Sequence, residues 1–122
     1  MNFDRLQQYL LAKPEVTLDY PFGDDVLVFK VKKKMFALIG TNQDTMSMNL
    51  KCDPDEGAAL RDVFPAIRAG YHMNKRHWIT IDFDGTVPEG EIKRLIDNSF
   101  LLVVDNLTKQ DQVSIRLHLS EQ

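Results

Sequence analysis

A single cysteine, Cys52, occurs in the 122 residues, so no disulfide can form within the chain. That usage fits a reducing compartment. No run of apolar residues is long enough to span a bilayer, and the first residues do not combine basic charge with an apolar stretch. The expectation is therefore a cytoplasmic protein with no membrane association. The chain has no internal repeat, low-complexity tract or linker. It also lacks a nucleophile elbow, a phosphate-binding glycine loop and a metalloprotease motif, so no enzyme, catalytic residue or cofactor is expected. Of the histidines, His72 and His77 lie five apart, a poor spacing for zinc on a helix, and no cysteine is close by. No metal site is expected.

Acidic residues are missing in two places. None lies between Asp25 and Asp44, a window holding Lys30, Lys32, Lys33 and Lys34. None lies between Asp62 and Asp82, a window holding Arg68, Lys75 and Arg76 with His72 and His77. The remaining chain carries eight basic and eighteen acidic residues, and the formal net charge is −3. Overall acidity argues against a dedicated nucleic-acid binder, but local field decides where an anion docks. If the two windows fold side by side, one face is basic.

The length suits one domain, residues 1–122, with a core that needs no staples. Phe3, Leu6, Tyr9 and Leu10 recur at helical spacing until Pro14. Val26–Val31 and Met35–Ile39 read as strands around a lysine turn that lacks Gly or Asn. Met46–Leu50 alternates as a third strand. Asp53-Pro54-Asp55-Glu56 starts a helix whose expected apolar face is Ala59, Leu60, Val63 and Phe64. Trp78–Phe83 is the next strand, closed by an Asp84-Gly85 turn. Thr86 to Glu89 has capping-box spacing, and Ile92, Leu95, Ile96, Ser99, Phe100, Val103 and Leu107 form a helical stripe. Val113, Ile115, Leu117 and Leu119 alternate with polar residues and suggest a final strand. The expected class is α+β: two layers, an antiparallel sheet on helices, in the order α-β(3)-α-β-α with a C-terminal strand.

The densest polar-aromatic segment is Gly70-Tyr71-His72-Met73-Asn74-Lys75-Arg76-His77-Trp78. Lys75 and Arg76 suit phosphate contact, Asn74 an adenine edge, and Tyr71 or Trp78 base stacking. The plainer reading has both aromatics filling the sheet–helix core and Asn74 satisfying loop backbone. For the lysines near the first hairpin, DNA backbone contact and edge protection are both open. Cys52 reads as an apolar filler, although a helix N-terminus can lower a thiol pKa.

This segment, with Asp19-Tyr20-Pro21-Phe22-Gly23, Leu50-Lys51-Cys52-Asp53-Pro54 and Leu95-Ile96-Asp97-Asn98-Ser99-Phe100, resembles the MmcQ/YjbR family over roughly residues 3 to 107. Ala69 stands where that family usually has proline. The resemblance implies a fold related to frataxin and secretion chaperones, with a "double wing" of hairpins proposed to bind DNA. An iron role like that of frataxin would need acids on the first helix, where Asp4 is the only one before Glu15. The resulting expectation is a monomer that binds double-stranded DNA weakly and with strong salt dependence. The residues expected to carry it are Lys30, Lys32, Lys33, Lys34, Arg68, Tyr71, His72, Asn74, Lys75, Arg76 and His77. The alternatives are an adaptor with a protein or peptide partner, and a small-molecule sequestering protein.

Overall fold

The computed structural model describes residues 1–41, 45–70 and 74–120. Its elements are α1 (Phe3–Leu11), β1 (Val16–Asp19), β2 (Val26–Val31), β3 (Lys34–Gly40), β4 (Ser47–Lys51), α2 (Pro54–Val63), β5 (Ile67–Ala69), β6 (Trp78–Asp82), α3 (Glu89–Asp105) and α4 (Lys109–Ser120). The strands form one antiparallel sheet in the order β1-β2-β3-β4-β6-β5. This is the α+β architecture anticipated from the sequence, with two short strands added at its edges.

Period-two alternation sorts the strand residues by face. Leu27, Phe29 and Val31 of β2, Met48 and Leu50 of β4, and Ile79 and Ile81 of β6 join one core with Leu6 and Leu10 of α1. The α3 stripe Ile92, Leu95, Ile96, Phe100 and Val103 completes it, and Phe100 meets Phe36 edge-to-face with ring centres 5.4 Å apart. The register slips between Phe29 and Lys30, so Phe36 becomes the extra residue of a β-bulge. That leaves a gap in the β3–β4 ladder, and buried Ser99 bridges it. The Ser99 hydroxyl donates to the Phe36 carbonyl at 2.6 Å and accepts from the Lys51 N–H at 2.8 Å. Tyr9 donates to Asp97 at 2.8 Å and Lys13 pairs with the same carboxylate at 2.5 Å, joining α1 to α3.

Several expectations are corrected. The C-terminal segment is α4, not a strand. Thr108 caps it by accepting from the Asp111 N–H at 3.2 Å, and only Ile115 among its alternating apolar residues is buried. No partner edge was needed once the cap set the helical path. In α2, Gly57 and Leu60 face the core, whereas Ala59 is exposed and Val63 is 67 % exposed. The capping box before α3 does not form. Both the N–H and the hydroxyl of Thr86 donate to Asp84, and Pro88 takes the N-cap position without a side-chain bond. Asp53 does cap α2, accepting from Asp55 and Glu56.

Candidate nucleic-acid interface

The β2–β3 hairpin closes on Lys32 and Lys33, with Val31 opposite Lys34. Both turn residues have positive φ, 49° and 69°. That matches a type I′ turn, where Asn-Gly is the favoured pair. Lysines therefore occupy a conformation that disfavours them and that Gly would hold without strain.

The register carries this end of the sheet across to the second basic window. Leu50 lies opposite Ala37, and Lys51 opposite Trp78. The Gly70 N–H donates to the Trp78 carbonyl at 2.9 Å. The hairpin tip, the end of β4 and the turn before β6 thus share one end of the sheet. Between the β2–β3 tip and the β5–β6 connection there are three inter-strand spacings, about 14 Å. Lys51 of β4 sits midway. It was absent from the expected set because Asp53 follows it in sequence, outside both acid-free windows. The register is the signal that finds it.

The expected cations divide into two groups. Lys30 pairs with Asp19 at 3.2 Å, and Lys32 with Glu15 at 2.6 Å and Asp111 at 4.0 Å. Arg68 makes two parallel bonds of 2.9 Å to Asp82. The bond to Glu15 raises the Lys32 pKa, and the fork to Asp82 does the same for Arg68. The Glu15 carboxyl is correspondingly held below the ordinary glutamate value, first by Lys32 and then by the Ser114 hydroxyl. These three cations are neutralised locally. Lys33, Lys34, Lys51, Lys75 and Arg76 have no ion-pair partner among the described residues. All but the half-buried Lys51 are exposed.

Asn74 is a turn residue. Its side-chain oxygen accepts from the Arg76 N–H at 3.0 Å, and its carbonyl accepts from His77 and Trp78. It therefore presents Lys75 and Arg76 to solvent, and its oxygen is committed to that task. His77 is exposed, and its carbonyl accepts from the Cys52 N–H at 2.8 Å. Tyr71 and His72 lie outside the described residues. Trp78 corrects an expectation. Ile79 and Ile81 take the core face, so alternation turns Trp78 to the other face, where it is half-buried. Its backbone packs so closely on Gly70 that a Cβ there would meet the Trp78 Cβ at 2.7 Å.

Cys52 is buried, and its thiol is pushed up to about 11, by desolvation first and by Glu56 and Asp53 next. At neutral pH it is a protonated apolar filler. Among the described residues no three His, Cys, Asp or Glu side chains gather as a metal site, and no helix is long and apolar enough to cross a membrane.

The model of the YjbR family matches residues 11–102. The Escherichia coli O157:H7 protein YbdF is 40% identical over 106 residues, 87% of each chain. The E. coli K12 protein YjbR is 29% identical over 110 residues, 90% of this chain and 93% of its own. The crystal structure of Deinococcus radiodurans protein DR2400 superposes with a TM-score of 0.86 at 39% identity, covering 92% of this chain and 86% of the other. None of these names states an activity.

Proposed function

This chain belongs to the YjbR family, and from that premise we propose that it is a non-catalytic module that docks weakly on double-stranded DNA through the basic end of its sheet. The observation that carries the reading is the row Lys33–Lys34, Lys51, Lys75–Arg76, unpaired among the described residues at one end of the sheet, with Lys34 on the core face opposite Val31 and Lys51 on the other face opposite Trp78. Its span of about 14 Å is comparable with the width of about 12 Å of the DNA major groove. Phosphate contact needs positive charge in reach and little else. The strained lysine turn adds support, because a strained residue at a loop tip is a hint of use rather than of stability. The surface is bounded by Asp53 and Asp55 at the first turn of α2 and by Glu15 and Asp111 beside Lys32.

No base-reading group is assigned, since the Asn74 oxygen is occupied by its own turn. Binding should therefore be insensitive to sequence. With about four to five phosphates engaged, raising salt from 50 to 200 mM should weaken binding on the order of 150- to 500-fold. Fluorescence anisotropy of a labelled duplex over that salt range tests this. An absence of binding at the low-salt end refutes it.

A second reading, a protein-binding adaptor, has one observation in its favour. Val113 and Leu117 of α4 are 57 % and 61 % exposed and lie one turn apart. Under that reading the duplex titration would stay flat at every salt concentration.

A further inference from the structure

The segment Asp19-Tyr20-Pro21-Phe22-Gly23 carries part of the family resemblance, yet its aromatics do not build the core. Tyr20 is 46 % exposed and Phe22 63 % exposed, and neither is among the residues packed on the core. The backbone beneath them is nonetheless firmly held. Asp19 accepts from the Tyr20 N–H at 2.8 Å while pairing with Lys30. The Tyr20 carbonyl accepts from Gly23, whose φ of +107° closes the turn, and the Gly23 carbonyl accepts from Val26. The Asp25 carbonyl accepts from both the N–H and the hydroxyl of Thr41. Binding residues fall disproportionately on loops held in place by a rigid scaffold.

Tyr20 borders a cavity of about 500 Å³ at the end of the sheet opposite the lysine hairpin. Phe3, Leu27 and Met46 supply apolar surface, and Gln7 and Asp24 supply polar groups. Among the described residues, Asp24 is the only charged residue lining it, and no lysine or arginine does. Asp24 is exposed and has no ion-pair partner among the described residues. Small-molecule sites are typically about 300–1,000 Å³, mostly apolar, with a few polar groups that fix orientation. A carboxylate beside an aromatic ring selects a cation, through charge-assisted hydrogen bonding and the negative face of the ring.

We propose that this cavity binds a small organic cation with an apolar or aromatic body, its ammonium held between Asp24 and Tyr20 and its body against Phe3, Leu27 and Met46. The site lies at the other end of the sheet from the basic row, and the inference does not depend on DNA binding. An anion would meet the Asp24 carboxylate with no compensating positive group among the described residues of the cavity lining.

The test is an NMR titration of the full chain with phenethylammonium and with its anionic counterpart 3-phenylpropionate. The amine should give saturable amide shifts confined to Tyr20, Leu27 and Thr41, and the anion none. Asp24→Asn should weaken the amine on the order of 10-fold, the value of one hydrogen bond to a charged group. Tyr20→Ala should weaken it as well, whereas the remote Asp62→Asn should not. Both site residues are exposed, so unchanged shifts elsewhere will report an intact fold. The proposal is overturned by no saturable shift up to about 10 mM amine, by equal binding of the two compounds, or by Asp24→Asn binding as the parent does.

Discussion

Replacing Ser99 with alanine removes one oxygen atom and leaves two backbone groups without partners. The hydroxyl is the only described partner joining the Phe36 carbonyl to the Lys51 N–H across the gap opened by the bulge. Ser99 itself is fully buried. An orphaned buried polar group costs about 1–3 kcal/mol. Lys51 is half-buried at a strand end, where water can reach its N–H more readily, so its share falls at the low end. The expected loss is about 2–4 kcal/mol, or about 8–15 °C in Tm for a chain of this size. Urea unfolding should show a lower midpoint at unchanged slope, since the same surface is exposed on unfolding. Hydrogen exchange at the Lys51 amide should quicken first, because that N–H loses its partner. A loss below about 0.5 kcal/mol, the range of ordinary surface changes, would mean that the ladder closes without the hydroxyl.

Three further outcomes are expected. Gly70→Ala should cost about 1–3 kcal/mol in chemical denaturation, because the new Cβ meets the Trp78 Cβ at 2.7 Å and its carbonyl oxygen at 3.2 Å. Lys33→Gly should stabilise the hairpin by about 0.5–1 kcal/mol, relieving a left-handed residue that has no described ion pair, while weakening duplex binding; calorimetry and anisotropy on the same variant separate the two effects. Acid should loosen α4. Glu15 accepts from Lys32 and Ser114 and contacts His118, and its carboxyl is held below the ordinary glutamate value. A depressed folded-state value contributes stability above the unfolded-state pKa, and that contribution is lost as pH falls through the folded one. Protection factors in α4, taken relative to the intrinsic exchange rate at each pH, should therefore fall as pH drops below the ordinary glutamate range, and Glu15→Gln should remove that dependence.

Long, periodic elements were legible in the sequence. The α3 stripe from Ile92 to Val103 is buried as its spacing implied, and Asp53 caps α2 as its neighbours implied. The two edge strands were not legible. Val16–Asp19 and Ile67–Ala69 are four and three residues long, too short for a period to show, and they form because an inner strand offers an unpaired edge. In α4, Val113, Ile115, Leu117 and Leu119 alternate as a strand would. Thr108 three residues before Asp111 was the helix signal that outweighed it. The ion pairing within the charge windows was hidden for a related reason. A window sees neighbours in sequence, but Lys30, Lys32 and Arg68 are neutralised by Asp19, Glu15 and Asp82, which lie outside the windows and meet them only across the sheet or at its edge. Lys51 was missed for the converse reason. Trp78 was assigned to the core from its size, whereas strand parity, set by Ile79 and Ile81, turned it to the opposite face.

The basic row is tested most directly by the salt dependence of duplex binding in five single variants. Lys33→Ala, Lys51→Ala and Arg76→Ala each remove a cation unpaired among the described residues, and each should reduce the slope of log K against log salt by about 1. Lys32→Ala and Arg68→Ala remove cations already paired with Glu15 and Asp82, and the slope should stay within about 0.3 of the parent. Equal slope changes at all five positions, or no duplex binding at about 50 mM salt, would contradict the assignment of phosphate contact to this end of the sheet.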